Sequence, residues 1–507
     1  MALLRRLLRP IVELQESEAA TALLMFLYSF LAMTSYNILK PLTRSQFIKN
    51  LGADNLPWVL LAAGVLIGVI MQGYSKGVAL LPRKWVIPIT QTIMAGVLVA
   101  FWFAFQTKAE WVSVAFYFFG LILGVLLISQ FWTLANEVYD PRQAKRIFGF
   151  VGGGSSLGGI MGSTILTSLV GVLGPVHLLL VSAAILLFCA FIVSRVLGRE
   201  RHLQLEHVAS TGEEKGVSGS EAINLLRNSK HLQVIALVIG FAAIGAAIIE
   251  QQLNMAAAQF ARQGTDLEKI LGSVQLWLSI IGFTIQIWLT SRIHRLLGIG
   301  FALLILPVSL GSTALIMLFN AAIWAPMLAR ISDTALRYTV DKTTREILFL
   351  PLPSETKAQA KPFIDVTMDR LSKGIGAALL LVLIKDWGLG LTWQQLSYAS
   401  ITMTALWIFA ALAAKKRYLL SFRQSIERKD VVADDVRIAG ADLQTIETLV
   451  GELADPNEQR VIYAIDILES LDKRSLVTPL LLYHESPKVR ARSWSLVTFF
   501  IAFRLAD

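Results

Sequence analysis

Apolar residues arrive along this 507-residue chain in about a dozen blocks of about 20, a pattern that constrains the fold more than any other. At 1.5 Å per residue, a helix of that length crosses the roughly 30 Å of hydrocarbon in a bilayer. The chain therefore reads as an all-α polytopic membrane protein. Twelve spans are predicted, over residues 19–39, 57–79, 85–105, 111–136, 148–171, 175–196, 231–251, 268–290, 298–319, 321–338, 362–384 and 395–414. Hydrophobic residues make up 55% of the chain and charged ones 16%, against roughly 45–50% and 25% in a soluble domain. That balance excludes a water-soluble enzyme as the whole protein.

The net charge of +10 invites a nucleic-acid reading until the basic residues are sorted by side. With the N-terminus in the cytoplasm, alternate connecting segments hold about 24 Lys and Arg and the opposite side only about 7. They include Lys76, Arg83 and Lys84, then Arg142, Lys145 and Arg146, then Arg292 and Arg295, and finally residues 415–417. The charge is thus largely an orientation signal that puts both termini in the cytoplasm, most readily of a bacterial inner membrane, and no nucleic-acid partner is expected. Residues 1–18 form an amphipathic cytoplasmic stretch with Arg5, Arg6 and Arg9, and no cleavage site follows it.

The longest internal polar stretch, residues 198–230, divides the spans into six (19–197) and six (231–415). Two six-helix halves joined by a cytoplasmic linker suggest the major-facilitator architecture. Faint internal similarity agrees: VYDPRQAKR after the fourth span resembles TVDKTTREI after the tenth, which sets Asp140 and Asp341 at corresponding places. From residue 416 the composition turns soluble. Asp442 is placed to cap a helix with Leu443, Ile446, Leu449 and Leu453 on one face, and a second helix follows from Asn457. DPNEQRVIYAIDIL recurs about 30 residues later as ESPKVRARSWSLV, as in a HEAT-type helical pair and the start of another. Since solenoids need about three repeats, the natural protein is expected to continue past Asp507, and the tail is a candidate site for a cytoplasmic protein partner.

Ionisable groups inside spans carry the functional information, because a charge near the bilayer centre costs at least about 2.5–3.5 kcal/mol. Asn37, Lys40 and Arg44, Glu250, and Arg330, Asp333 and Arg337 stand out, followed by Arg370 and Lys373. Their mixed charge with a cationic excess suits an anionic solute. Plainer roles are open to each: Lys40 and Arg44 reach the interface by snorkelling, and Arg330, Asp333 and Arg337 share a helix face and neutralise one another. Glu137, Asp140, Arg142 and Lys145 sit at a cytoplasmic edge, where they gate or form a structural charge network. Tyr36, Trp132 and Tyr338 are placed either to stack on a base or to anchor helix ends. The glycine run VGGGSSLGGIMGS lacks the phosphate-loop order, and Gly154, Gly158 and Gly162 at spacings of four favour helix packing. No metal or nucleophile motif is present, Cys189 reads as a small core residue, and neither an enzyme nor a cofactor is indicated.

Three segments resemble the nucleotide (ATP/ADP) carriers of plastids and obligate intracellular bacteria. The most specific runs from Arg330 to Leu380, where REILFLPLP, KPFIDV and LSKGIGAAL occur in the family's order. The others are FWTLANEVYDPRQAKRIFGFVGGGSSLGG (131–159) and YNILKPLTRSQFIKNLGADNLPWV (36–59). The resemblance implies a twelve-helix, facilitator-like exchanger of nucleotides. It matches Lys40, Glu250, Lys361 and Lys373 to charged positions that matter for transport in the family, and Glu346 to the acid before LFLPLP. Where the family reads roughly Arg-Asp-Thr-Lys-Asp after Ile-Leu, this chain has Lys40, Pro41, Leu42, Thr43 and Arg44.

The leading expectation is a carrier of nucleotides or a related phosphorylated anion. A triphosphate bears about four negative charges, which several Lys and Arg without matching carboxylates can meet. The rivals are a non-transporting membrane scaffold or sensor, and a facilitator for an unrelated solute or lipid.

Overall fold

In the computed structural model, α1 (Ala19–Leu51) starts where the first apolar block predicts but runs past residue 39 through Pro41 to Leu51. Proline removes the hydrogen bond to the carbonyl four residues earlier. Burial of Leu42, Phe47 and Ile48 beyond it offsets the loss and carries the helix onward. Gly52 ends it at φ 82°, a conformation that favours glycine, with its N–H on the Ile48 carbonyl at 2.9 Å. The structure describes residues 18–80, 83–199, 219–288, 290–349, 351–428, 443–470, 473 and 476–494. The N-terminal basic stretch, most of the linker, Asp442 and the side chains of Arg142, Lys145 and Tyr338 lie outside the described residues.

The remaining blocks each become helix: α2 (Leu56–Leu80), α3 (Arg83–Ala104), α4 (Glu110–Val138), α5 (Pro141–Leu173) and α6 (Leu178–Arg199). A short α7 (Gly219–Asn228) precedes α8 (Lys230–Arg262), α9 (Leu267–Trp288) and α10 (Thr290–Phe319). Two composite rods follow. The first joins α11 (Trp324–Leu336) through a π-helical segment (Arg337–Asp341) to α12 (Lys342–Leu348). The second joins α13 (Ser354–Pro362) through a π segment (Phe363–Met368) to α14 (Asp369–Ile384), and α15 (Leu396–Arg428) closes the bundle. Among the described residues, eight of these helices are long and apolar enough to cross a membrane. The α11 rod is not one of them, since it is broken and carries Arg330, Asp333 and Arg337.

Buried side chains from residues 22–197 form one core cluster, and those from residues 232–489 another. Within the first, α5 lies against α1 along its glycines. A Cβ added at Gly154 would fall 2.6 Å from the Phe26 carbonyl oxygen, and at Gly158 and Gly162 closer still to those of Phe30 and Thr34. Glycines four apart thus face carbonyls four apart, so two backbones approach where any side chain would separate them. Asp140 begins α5 with a capping box: its carboxylate accepts the Gln143 N–H at 2.8 Å, and the Gln143 side chain accepts its own N–H at 3.1 Å. Helices before residue 200 meet those after it where α5 packs on α9 and α2 on α14, and through a separate smaller cluster.

The C-terminal segment adds α16 (Leu443–Glu452) and α17 (Glu458–Ser470), then a helix over residues 487–494. Leu449 and Leu453 are buried as the amphipathic pattern predicts, and α16 and α17 dock on α10 and α15. Arg460 holds Asp455 at 2.8 Å, and Arg490 donates to the His484 and Glu485 carbonyls at 2.7 and 2.9 Å, so the two similar segments both use an arginine to tie down the loop before them.

Gly158→Ala is expected to lower the thermal unfolding midpoint of the detergent-solubilised protein, at a cost of about 1–3 kcal/mol for overpacking. Gly153→Ala, where an added Cβ meets nothing within 4 Å, should leave the midpoint unchanged.

Candidate functional site

Past Pro41, α1 carries Arg44 against the middle of the bundle, where α8 presents Glu250 and α11 presents Arg330. Each Glu250 carboxylate oxygen takes one guanidinium. Arg44 donates to Oε1, and Arg330 Nη2 lies 3.2 Å from Oε2. Arg330 Nη1 also reaches Asp333 at 3.1 Å, and the fully buried Asp333 takes Arg337 on its other oxygen. Spacings of three and four along α11 put these three residues on one face, as the sequence requires. Lys40, one turn before Arg44, lies 6.0 Å from the centroid of the Tyr36 ring and forms no ion pair among the described residues. Three arginines therefore share two carboxylates with Lys40 beside them, and in a low-dielectric interior such an excess favours an incoming anion.

Lys40, Pro41, Arg44 and Arg330 line a cavity together with Gln275, Leu253, Leu271, Val274 and Leu278. Its volume is about 20 Å³, room for about one water molecule. One side is polar and cationic, the other apolar. Beside it Gln275 Nε2 donates to Asn37 Oδ1 at 2.8 Å, while Asn37 Nδ2 is spent on the Met33 carbonyl, also at 2.8 Å.

Beyond the cavity, toward the C-terminal end of α1, the bundle is shut. Lys49 meets both oxygens of the buried Glu268 at 2.6 and 2.8 Å, and Ser45 Oγ adds a bond to the same carboxylate at 3.3 Å. Gln251 donates to the Ala53 carbonyl at 2.8 Å and Lys385 to Asn55 at 2.6 Å. Phe47, Ile48, Leu56 and Tyr117 pack there against Ala257, Leu267, Ile270 and Leu271.

The structure thus gathers Tyr36, Asn37, Lys40, Arg44, Glu250, Arg330, Asp333 and Arg337 at one place. Tyr36 owes its position to Gly124 of α4, where a Cβ would stand 2.6 Å from its ring. Arg370 and Lys373 are exposed on α14 outside this network, Lys373 paired with Asp369 at 2.6 Å. Trp132 packs edge-on against Phe131 and Phe148 rather than lining the cavity. Of the other charges singled out, Asp140 is the α5 cap, Glu137 is half-buried at the end of α4, Asp341 pairs with Arg345 at 2.8 Å, and Lys361 pairs with Glu346. Sequence reasoning passed over Gln275, Lys49 and Glu268. Glutamine inside a helical block carries no charge to flag it, and Lys49 and Glu268 read as ordinary helix-end charges.

A family model described as TLC ATP/ADP transporter matches residues 74–336 and 318–418. ADP,ATP carrier protein 3 of Rickettsia conorii is 23% identical over 364 residues, covering 63% of this chain and 72% of that protein. ADP,ATP carrier protein 1 of Chlamydia trachomatis is 22% identical over 356 residues, covering 61% and 66%. Among solved structures, the nucleoside transporter NupG has the same fold with a TM-score of 0.52 at 16% identity, over 78% of this chain and 99% of that one. The POT family transporter PepTSo gives 0.52 at 13%, over 80% and 98%.

Glu250→Gln is expected to lower the thermal midpoint in ligand-free detergent, at a stability cost of about 1–3 kcal/mol, less than for a fully buried pair because a quarter (24%) of the Glu250 side chain stays exposed. Millimolar pyrophosphate should restore more of that loss in the variant than it adds to wild type. A pyrophosphate increment no larger than the wild-type one would contradict an anion-binding site at these arginines.

Proposed function

The chain belongs to the TLC ATP/ADP transporter family, and from that premise we propose that it carries nucleotides, or a closely related phosphorylated anion, across a membrane by alternating access. The observation that carries the reading is Glu250 held between Arg44 and Arg330, with Lys40 beside them at the wall of a small cavity. The scaffold and unrelated-solute readings have no comparable support.

In this reading Lys40, Arg44 and Arg330 receive the phosphates, and Glu250 holds the two arginines when no substrate is present. An arriving phosphate supplies the oxygens that Glu250 now provides, so the cations pass from one anion to another without standing unpaired in low dielectric. Asn37 and Tyr36 border the same site, Asp333 and Arg337 hold Arg330 in place, and Arg370 and Lys373 attract anions along the way to it. Substrate sites hold about 300–1,000 Å³, whereas this cavity holds about 20 Å³, so the helices must part for a nucleotide to enter. Lys49–Glu268 and the apolar cluster around Phe47 act as the gate at one end. At the other, Glu137, Asp140, Arg142, Lys145, Asp341, Glu346 and Lys361 make and break contacts as it opens and closes.

The reading extends to the whole chain. Twelve spans form two six-helix halves joined by the linker, with both termini in the cytoplasm and the carrier in a bacterial inner membrane. No covalent chemistry, metal or cofactor is required of it. The C-terminal helices form a HEAT-like unit that offers a surface to a cytoplasmic protein.

Purified protein in liposomes preloaded with ATP should take up labelled ATP or ADP, and uptake should fall without internal nucleotide. Lys40→Ala should reduce uptake at low substrate by about 10- to 100-fold, the worth of one charge-assisted hydrogen bond, with an unchanged thermal midpoint. Absence of uptake for every nucleotide tried would remove the proposal.

A further inference from the structure

The cavity wall carries, besides its cations, the carboxamide of Gln275, and two more carboxamides lie on the helices that form it. Gln275 of α9 lines the cavity and donates to Asn37 of α1, across 238 residues of sequence. Asn37 lies three residues before Lys40, so the amide pair stands about one turn from the cations along α1. On α8, Glu250 belongs to the charge network and Leu253 lines the cavity, and Asn254 follows on the same stripe at a spacing of four from Glu250. Asn254 is 3% exposed, and its Oδ1 has no hydrogen-bond partner. A buried carbonyl oxygen without a donor costs about 1–3 kcal/mol, a penalty that an arriving N–H group would relieve.

We infer that Gln275, Asn37 and Asn254 form the subsite that reads the nucleobase, set beside the cationic subsite that takes the phosphates. This rests on the nucleotide-carrier reading and adds to it the element that tells one base from another. A carboxamide offers a donor and an acceptor side by side, which is the complement of the adjacent amino and ring-nitrogen edge of adenine. The apolar wall of Leu253, Val274, Leu271 and Leu278 suits the faces of a flat ring. In the closed structure Gln275 spends its donor on Asn37, and a base entering between α1 and α9 takes over that bond. Recognition of the base and separation of the two helices are then one event.

The test is inhibition of labelled ATP uptake into ATP-loaded proteoliposomes by unlabelled ATP, GTP, CTP and UTP, and by tripolyphosphate, which has the charge and no base. Wild type should be inhibited by ATP about tenfold more tightly than by tripolyphosphate, and should rank the four bases. Gln275→Ala and, separately, Asn254→Ala should weaken ATP about tenfold while leaving tripolyphosphate unchanged, which shows that the cationic subsite and the fold persist. Lys40→Ala should weaken both inhibitors together. Equal weakening of ATP and tripolyphosphate in both carboxamide variants, or no change in either, would overturn the inference. So would a wild type that treats all bases and tripolyphosphate alike, an outcome that leaves the carrier reading standing. No uptake of any nucleotide by wild type would instead remove the carrier reading and this inference with it.

Discussion

A carboxylate shared by two arginines fixes what the rest of this bundle can do. Glu250 belongs to α8, Arg44 to α1 and Arg330 to α11, so one side chain ties together helices from both core clusters. Away from water a guanidinium without a counter-ion is costly, and separating these helices leaves such a charge unless another anion arrives. The same charges that lock these helices together are ones that attract an anion. Lys40, with a tyrosine ring rather than a carboxylate for company, adds a cation to the attraction without adding to the lock.

That arrangement asks much of α1. One length of it presses on α5 where glycines admit its carbonyls, which fixes it within the first cluster. Beyond Pro41 the same helix turns to the second cluster through Arg44, Ser45 and Lys49. A single rod is therefore anchored along one stretch and latched along another, and the proline stands between the two.

The helices themselves were legible in the sequence, because span-length apolar blocks leave little choice in lipid. So were the packing role of Gly154, Gly158 and Gly162 and the common face of Arg330, Asp333 and Arg337, which depend on spacing within one helix. What could not be read was long-range. Nothing near Gln275 announces Asn37, and nothing near Glu268 announces Lys49, since the partners lie more than 200 residues away and only packing brings them together. The run of α1 beyond Pro41 escaped for a related reason: local rules favour a stop at proline, and tertiary burial of Leu42, Phe47 and Ile48 overrules them.

The two π segments have a consequence for how such a chain can change over generations. Each holds a residue more than the α-helical path would need, so loss of one residue there restores a continuous helix instead of breaking it. Everything C-terminal to the lesion would then keep its phase about the axis, because the wider turn had absorbed the extra residue. Within Arg337–Asp341 such a loss would leave Glu346 on the side of Lys361 and Arg330 on the side of Glu250. The rods are in this sense adjustable in sequence length: one codon can be lost at a joint without re-aiming the charges on either side of it.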